Sequence, residues 1–231
     1  MAVHHRFDDI TIDDLRSQGS TKWTRMPDHL AAFVAEMDFG IAPVIAQALH
    51  QAVDTPTLGY TPPAIKDEMS AATSEFLHSR FSWSIPPERI YPTADVLSAY
   101  DFVLERFARP GTPVILPTPA YMPFFTITPM RGRDVIEVPM IHGKNDRADM
   151  DLEGIARAFE QGAHVLILCN PHNPVGRVYT REELVALSEV VEAHGGMVFS
   201  DEIHAPLTFP GHTHLPYALL SEVTAGHTVT A

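Results

Sequence analysis

The spacing of apolar residues along this chain changes near Gly111. Before it, apolar positions recur at three and four residues, the helical spacing. A helix is predicted from Pro43 to about Val53, with proline tolerated at its first position. A second covers Ala64–Phe81, with Ile65, Met69, Ala72, Phe76 and Leu77 on one stripe. A third covers Asp95–Arg109, where Val96, Tyr100, Val103, Leu104 and Phe107 share a face. After Gly111 the apolar runs shorten to Pro113–Leu116, Asp134–Val138, Val165–Cys169, Met197–Ser200 and Thr228–Ala231. Helical patterns separate most of them. Asp151–Gln161 places Leu152, Ile155 and Phe159 inward. Thr180–His194 opens on Thr-Arg-Glu-Glu, a capping-box spacing, and stops at Gly195. Short buried strands alternating with helices predict an α/β fold whose mostly parallel sheet is flanked by helices on both faces.

The first 40 residues show little periodicity beyond Leu30–Val34, which fits a short strand. Residues 1–42 are expected to form an N-terminal arm, and 43–231 a larger domain of strands and helices. There is no internal repeat and no low-complexity segment, and the 20 prolines concentrate in loops.

Composition narrows the function. Formal net charge is −13, from 29 acidic against 16 basic residues, of which only Lys22, Lys66 and Lys144 are lysines. That balance argues against a nucleic-acid partner, which needs clustered Lys and Arg. The single cysteine, Cys169, cannot form an internal disulfide and suits a reducing compartment. No apolar run reaches the 18 or so residues of a membrane span, and the first residues do not read as a signal peptide. A soluble cytoplasmic protein with a small-molecule ligand is the expectation. His212 and His214 lack a third ligand at suitable spacing, so no metal is expected.

The chemistry gathers in two polar loops that open where predicted strands end. One is Cys169-Asn170-Pro171-His172-Asn173-Pro174-Val175-Gly176, and the other is Ser200-Asp201-Glu202-Ile203-His204. The carboxyl ends of buried parallel strands are where an open α/β sheet binds its ligand. Asn170 and His172 shape the first turn, which two prolines stiffen. Asn-Pro-x-Asn-Pro-x-Gly followed by Ser-Asp-Glu-Ile-His resembles the fold-type I pyridoxal-phosphate enzymes, in their cystathionine β-lyase or C–S lyase branch. Thr118-Pro119-Ala120-Tyr121, Gly59-Tyr60 and Glu36-Met37-Asp38-Phe39 extend the resemblance over nearly the whole chain. Family members more often carry Asp where Glu36 stands.

The resemblance implies pyridoxal 5'-phosphate as cofactor and a role for each matched residue. Asp201 would hold the ring nitrogen protonated, and Asn173 and His204 would meet the phenolic oxygen. Tyr121 would stack on the ring. Main-chain amides of Ala94, Asp95 and Val96 would cradle the phosphate at a helix N-terminus, with the Asp95 carboxylate turned away as a helix cap. Tyr60 would reach the partner's phosphate across a homodimer, and Glu36, Met37 and Asp38 would lie on the substrate side. The Schiff-base lysine of the family would fall beyond Ala231, so the polypeptide as written is expected to lack activity and no catalytic residue is assigned within it. Cleavage of cystathionine or related cysteine S-conjugates to pyruvate, ammonia and a thiol is the implied reaction. A class I/II aminotransferase shares the Asn and Asp, and a non-catalytic binding or regulatory fragment is the rival of another class.

Overall fold

The computed structural model of the chain describes residues 9–55, 59–143 and 147–231, so Lys144 lies outside the described residues. Two compact units divide at Thr61 and Pro62. The first contains helices α1 (Ile12–Ser17), α2 (Thr21–Thr24) and α3 (Pro43–Asp54). Residues 30–34 are irregular there and form no strand. Three of those five side chains are exposed, Leu30 among them at 85%, so the run lacks the burial that would reward pairing. Lys22 on α2 donates to the Glu36 carbonyl and to the Asp38 carboxylate, and Trp23 Nε1 donates to the other Asp38 oxygen.

The second unit begins with α4 (Pro63–Phe81) and α5 (Val96–Arg106). Between them, where a short run over Arg89–Tyr91 stands out in the sequence, the chain makes a 3-10 turn at Pro87–Arg89 instead. Strands and helices then alternate as β1 (Val114–Thr118), α6 (Pro123–Met130), β2 (Val135–Pro139), the two-residue strands β3 (Ile141–His142) and β4 (Ala148–Asp149), α7 (Leu152–Glu160), β5 (Val165–Cys169), α8 (Arg181–Ala193), β6 (Met197–Asp201), α9 (Glu222–Gly226) and β7 (Thr228–Thr230). The capping box at Thr180 and Glu183 forms as the spacing predicts, and Gly195 takes positive φ just past α8.

Five strands form one parallel sheet in the order β2-β1-β5-β6-β7. Both faces are covered, and alternate side chains feed two separate cores. Val114, Leu116, Val165, Ile167 and Phe199 join Tyr100, Leu104 and Phe124 of α5 and α6 on one face. Ile115, Leu166, Leu168 and Val198 join Ile155, Phe159, Leu184 and Leu187 of α7 and α8 on the other. The chain leaves β1 toward β2 through α6, then returns past β1 to β5, so strand order reverses between β1 and β5. Helices serving the two sides of that junction fall on opposite faces, as crossovers of one hand require.

Arg133 locks the first core from below. Its guanidinium is buried and donates to the carbonyls of Arg109, Thr112, Leu104 and Ala108, gathering the end of α5 and the turn into β1. Arg133→Met should keep the volume but strand those carbonyls, costing roughly 3 kcal/mol. Urea unfolding would measure it, and a loss below about 1 kcal/mol would mean that water replaces the guanidinium at little cost.

Candidate active site

Three loops at the carboxyl edge of the sheet carry the residues singled out in the sequence. The first follows β1 and includes Tyr121, which is 42% exposed and meets Phe124 edge-on at 5.9 Å. The second follows β5 and includes Asn173. The third begins with Asp201, whose strand position pairs with Cys169 across β5 and β6. The peptide bonds before Pro119, Pro171 and Pro174 are cis.

Alternation decides what Asp201 and its neighbour do. Asp201 is two residues beyond Phe199 and so points to the face of α5 and α6, while Glu202 turns to the opposite face. Asp201 is 4% exposed. Its Oδ1 accepts from Ile203 N–H at 3.3 Å, and its Oδ2 lies 3.9 Å from Cys169 Sγ. Burial pushes its pKa above the ordinary carboxylate value, with hydrogen bonding and His204 opposing. Among the described residues no Lys or Arg forms an ion pair with it. A carboxylate so placed can take a cation, and among the described residues no Lys or Arg occupies that place. Burial likewise pushes the Cys169 thiol up to about 12, so it remains neutral beside Asp201. Cys169 Sγ also accepts from the main-chain N–H of Asn173 at 3.4 Å, and the Asn173 side-chain amide has no hydrogen bond among the described residues.

Glu202 is fully engaged. Its carboxylate accepts from Ser200 Oγ at 2.7 Å, Tyr217 N at 3.1 Å and His214 Nε2 at 2.7 Å. His214 thus belongs to this buried pair, with its ring edge-on to Phe81 at 5.2 Å. Ser200, Glu202, His214 and Tyr217 together pin the third loop from behind. The sequence reading assigned none of them; the only signal was two acids in succession after a strand, which demands opposite environments.

At the start of α5 the Asp95 side chain accepts from Ser98 N at 2.7 Å and caps the helix. Those hydrogen bonds hold its carboxyl below the usual range. In the first unit, Met37 and Tyr60 are exposed, and the Asp38 carboxylate is held low by Lys22 and Trp23. Arg177, also missed from sequence, pairs with Asp149 and Glu183 and fastens the β3–β4 hairpin to the second loop.

The chain matches the aminotransferase class I and II model over residues 34–231 and belongs to that family. It is 35% identical over 220 residues to the cystathionine beta-lyase of Corynebacterium glutamicum, covering 95% of this chain and 57% of that protein. It is 34% identical over 218 residues to the cystathionine beta-lyase PatB of Bacillus subtilis, covering 91% and 56%. Cystalysin from Treponema denticola, whose structure contains pyridoxal 5'-phosphate, superposes with a TM-score of 0.84 at 30% identity over 93% of this chain and 56% of that one. The chain therefore spans about half the length of these relatives.

Two buried histidines, His164 and His172, and the half-buried His227 contribute to the acid response of the fold. Burial lowers the pKa of His164, His172 and His227 from the ordinary 6.5. His164 Nδ1 accepts from Arg109 N–H at 3.1 Å and must stay unprotonated to do so. The unfolded chain then binds more protons than the folded one below about pH 6.5, and stability is lost as pH falls. Asp201, raised, works in the opposite sense but as one group against three. Thermal melting should drop from pH 7.5 to 5.5; a rise over that window would reverse the assignment.

Proposed function

We propose that this chain supplies the cofactor-holding part of a pyridoxal-phosphate-dependent carbon–sulfur β-lyase. Its substrate would be cystathionine or a related cysteine S-conjugate, split with water into a thiol, pyruvate and ammonia. The observation that carries the cofactor is Asp201, a buried carboxylate at the carboxyl end of β6 that no Lys or Arg of the described residues pairs with. Support for lyase chemistry comes from relatives at 34–35% identity that are cystathionine beta-lyases.

When bound, the cofactor supplies an electron sink for charge developing at the substrate Cα. Asp201 would accept the hydrogen bond of the protonated ring nitrogen, and its low-dielectric setting strengthens that pairing. The free amide of Asn173 would donate to the phenolic oxygen, with His204 near the same edge. Tyr121 would cover one ring face. With the Asp95 carboxylate spent on Ser98 N, the amides of Ala94, Asp95 and Val96 leading into α5 would receive the phosphate. On motif alone, Tyr60 would serve a partner's phosphate in a homodimer and Glu36–Asp38 would border the substrate. Asp38 would act there through the loop it pins, since both its oxygens are engaged. Residues 1–42 would belong to a small domain.

The family match also favours a second reading, transamination. Pyruvate formed from cystathionine with no keto-acid acceptor supports the lyase; reaction only with an acceptor supports the transferase. Asp201→Asn in the complete protein should leave cofactor uptake largely intact. Loss of one charge-assisted hydrogen bond in a dry site should slow elimination about 30- to 1000-fold. Tyr121→Ala should loosen the cofactor more than it slows turnover. Near-normal elimination by cofactor-loaded Asp201→Asn would discard the assigned carboxylate.

A further inference from the structure

We propose that His172 is a positioning residue, fixed as the Nε2–H form, that sets the width of the crevice between β1 and β5; its bearing on catalysis rests on the cofactor reading above. The crevice is visible in the strand pairing. Ladders β1·β2 and β5·β6 run to the ends of their strands, at Thr118–Pro139 and Cys169–Asp201. The β1·β5 ladder pairs only Val114 with Val165 and Ile115 with Leu166. Beyond those residues the two strands part, and the loops bearing Tyr121 and Asn173 stand on either side.

His172 spans the opening. It is 4% exposed, and its Nε2 lies 2.9 Å from the carbonyl oxygen of Pro119, two residues before Tyr121. A carbonyl only accepts, so Nε2 carries the proton. Nδ1 lies 3.1 Å from the Tyr179 hydroxyl and, in the neutral ring, accepts its hydrogen. Burial lowers the imidazole pKa, in agreement with a neutral ring. Tyr179 is itself immobilised. It is 2% exposed, its N–H donates to Asn170 Oδ1 at 3.2 Å, and the Arg177 guanidinium sits 5.0 Å over its ring. Asn170 continues the chain of contacts, donating from its main-chain N–H to Asp201 O at 2.9 Å and from its side chain to Leu215 O at 3.4 Å. One buried path therefore links all three loops. Its only direct crossing of the crevice among the described contacts is the bond from His172 to Pro119. The residue after His172 is Asn173, so the same side chain sets where Asn173 stands relative to Tyr121.

Two substitutions separate the ring's two nitrogens. Gln places an amide N–H near the position of Nε2 and can keep the bond to Pro119. Asn places an oxygen near the position of Nδ1 and can keep only the Tyr179 partner. In the complete protein, His172→Asn should raise amide hydrogen exchange across residues 118–122 about tenfold, the order of one lost hydrogen bond. It should weaken pyridoxal-phosphate binding by a similar factor and flatten the visible circular dichroism of the bound cofactor. His172→Gln should stay near the parent in all three. Tyr179→Phe, which spares the Pro119 bond, should retain the dichroism even if its melting temperature falls. Long-range 15N spectra of the parent should find His172 protonated at Nε2 and bare at Nδ1. Equal effects of Asn and Gln, unchanged exchange in His172→Asn, or an Nδ1–H form would each overturn the proposal. If His172→Asn fails to fold, the Gln and Phe variants and the spectra still decide it. Exchange and 15N spectra need no cofactor. A parent that takes up no pyridoxal phosphate would therefore sink the functional reading while leaving the His172 tie to be judged by those two measurements.

Discussion

A parallel sheet covered on both faces leaves no interior place for an unpaired polar side chain. Here the strand β5, Val-Leu-Ile-Leu-Cys, is buried from end to end, and its two sets of side chains fill two different cores. Polar chemistry can begin only where the pleat runs out. It does so at Asn170 and Asp201, neighbours across the edge of β5 and β6. The same rule gives consecutive acids opposite fates. Asp201 inherits the face of α5 and α6, and Glu202 inherits the face of α7 and α8.

Those fates differ in energy as well as direction. Glu202 has three donors, one of them the imidazole of His214, so its desolvation is offset within the chain. Asp201 has one main-chain donor and a distant thiol, and burial leaves its proton affinity raised. The satisfied acid holds the loop in place, while the other stands at the sheet edge with a single main-chain donor. Uncompensated polar burial persists where the surrounding structure is strong enough to impose it.

Much of this architecture was legible in the chain because two-sided burial writes continuous apolar runs. All five strands of the main sheet, and helices α3, α4, α5, α7 and α8, match the periodicity within a few residues. Helix α6 was missed because Thr126, Thr128, Pro123 and Pro129 obscure its apolar face. The two-residue strands β3 and β4 carry no period at all. Leu30–Val34 failed the other way, since apolar character without burial earns no pairing. At the site, the motif residues were readable one loop at a time. The contacts between loops were not, because His172 and Pro119 are 53 positions apart and Glu202 and His214 are 12 apart. Local pattern reports which face a residue takes and is silent on what the fold brings opposite.

The groups around Asp201 decide what it can bind. Cys169 stays a thiol and Asn170 brings only dipoles, while His204 and Glu202 act on the carboxylate with opposite signs. An Arg or Lys here would satisfy the carboxylate permanently and close the site to a cationic ring. Cys169 and Asn170 meet Asp201 without forming an ion pair with it. A ligand bearing a protonated aromatic nitrogen gains most in such a setting, because its cation meets a carboxylate already stripped of water. On the proposed reading, a preference for a pyridinium over a neutral ring would follow from Asp201 having no Lys or Arg partner among the described residues.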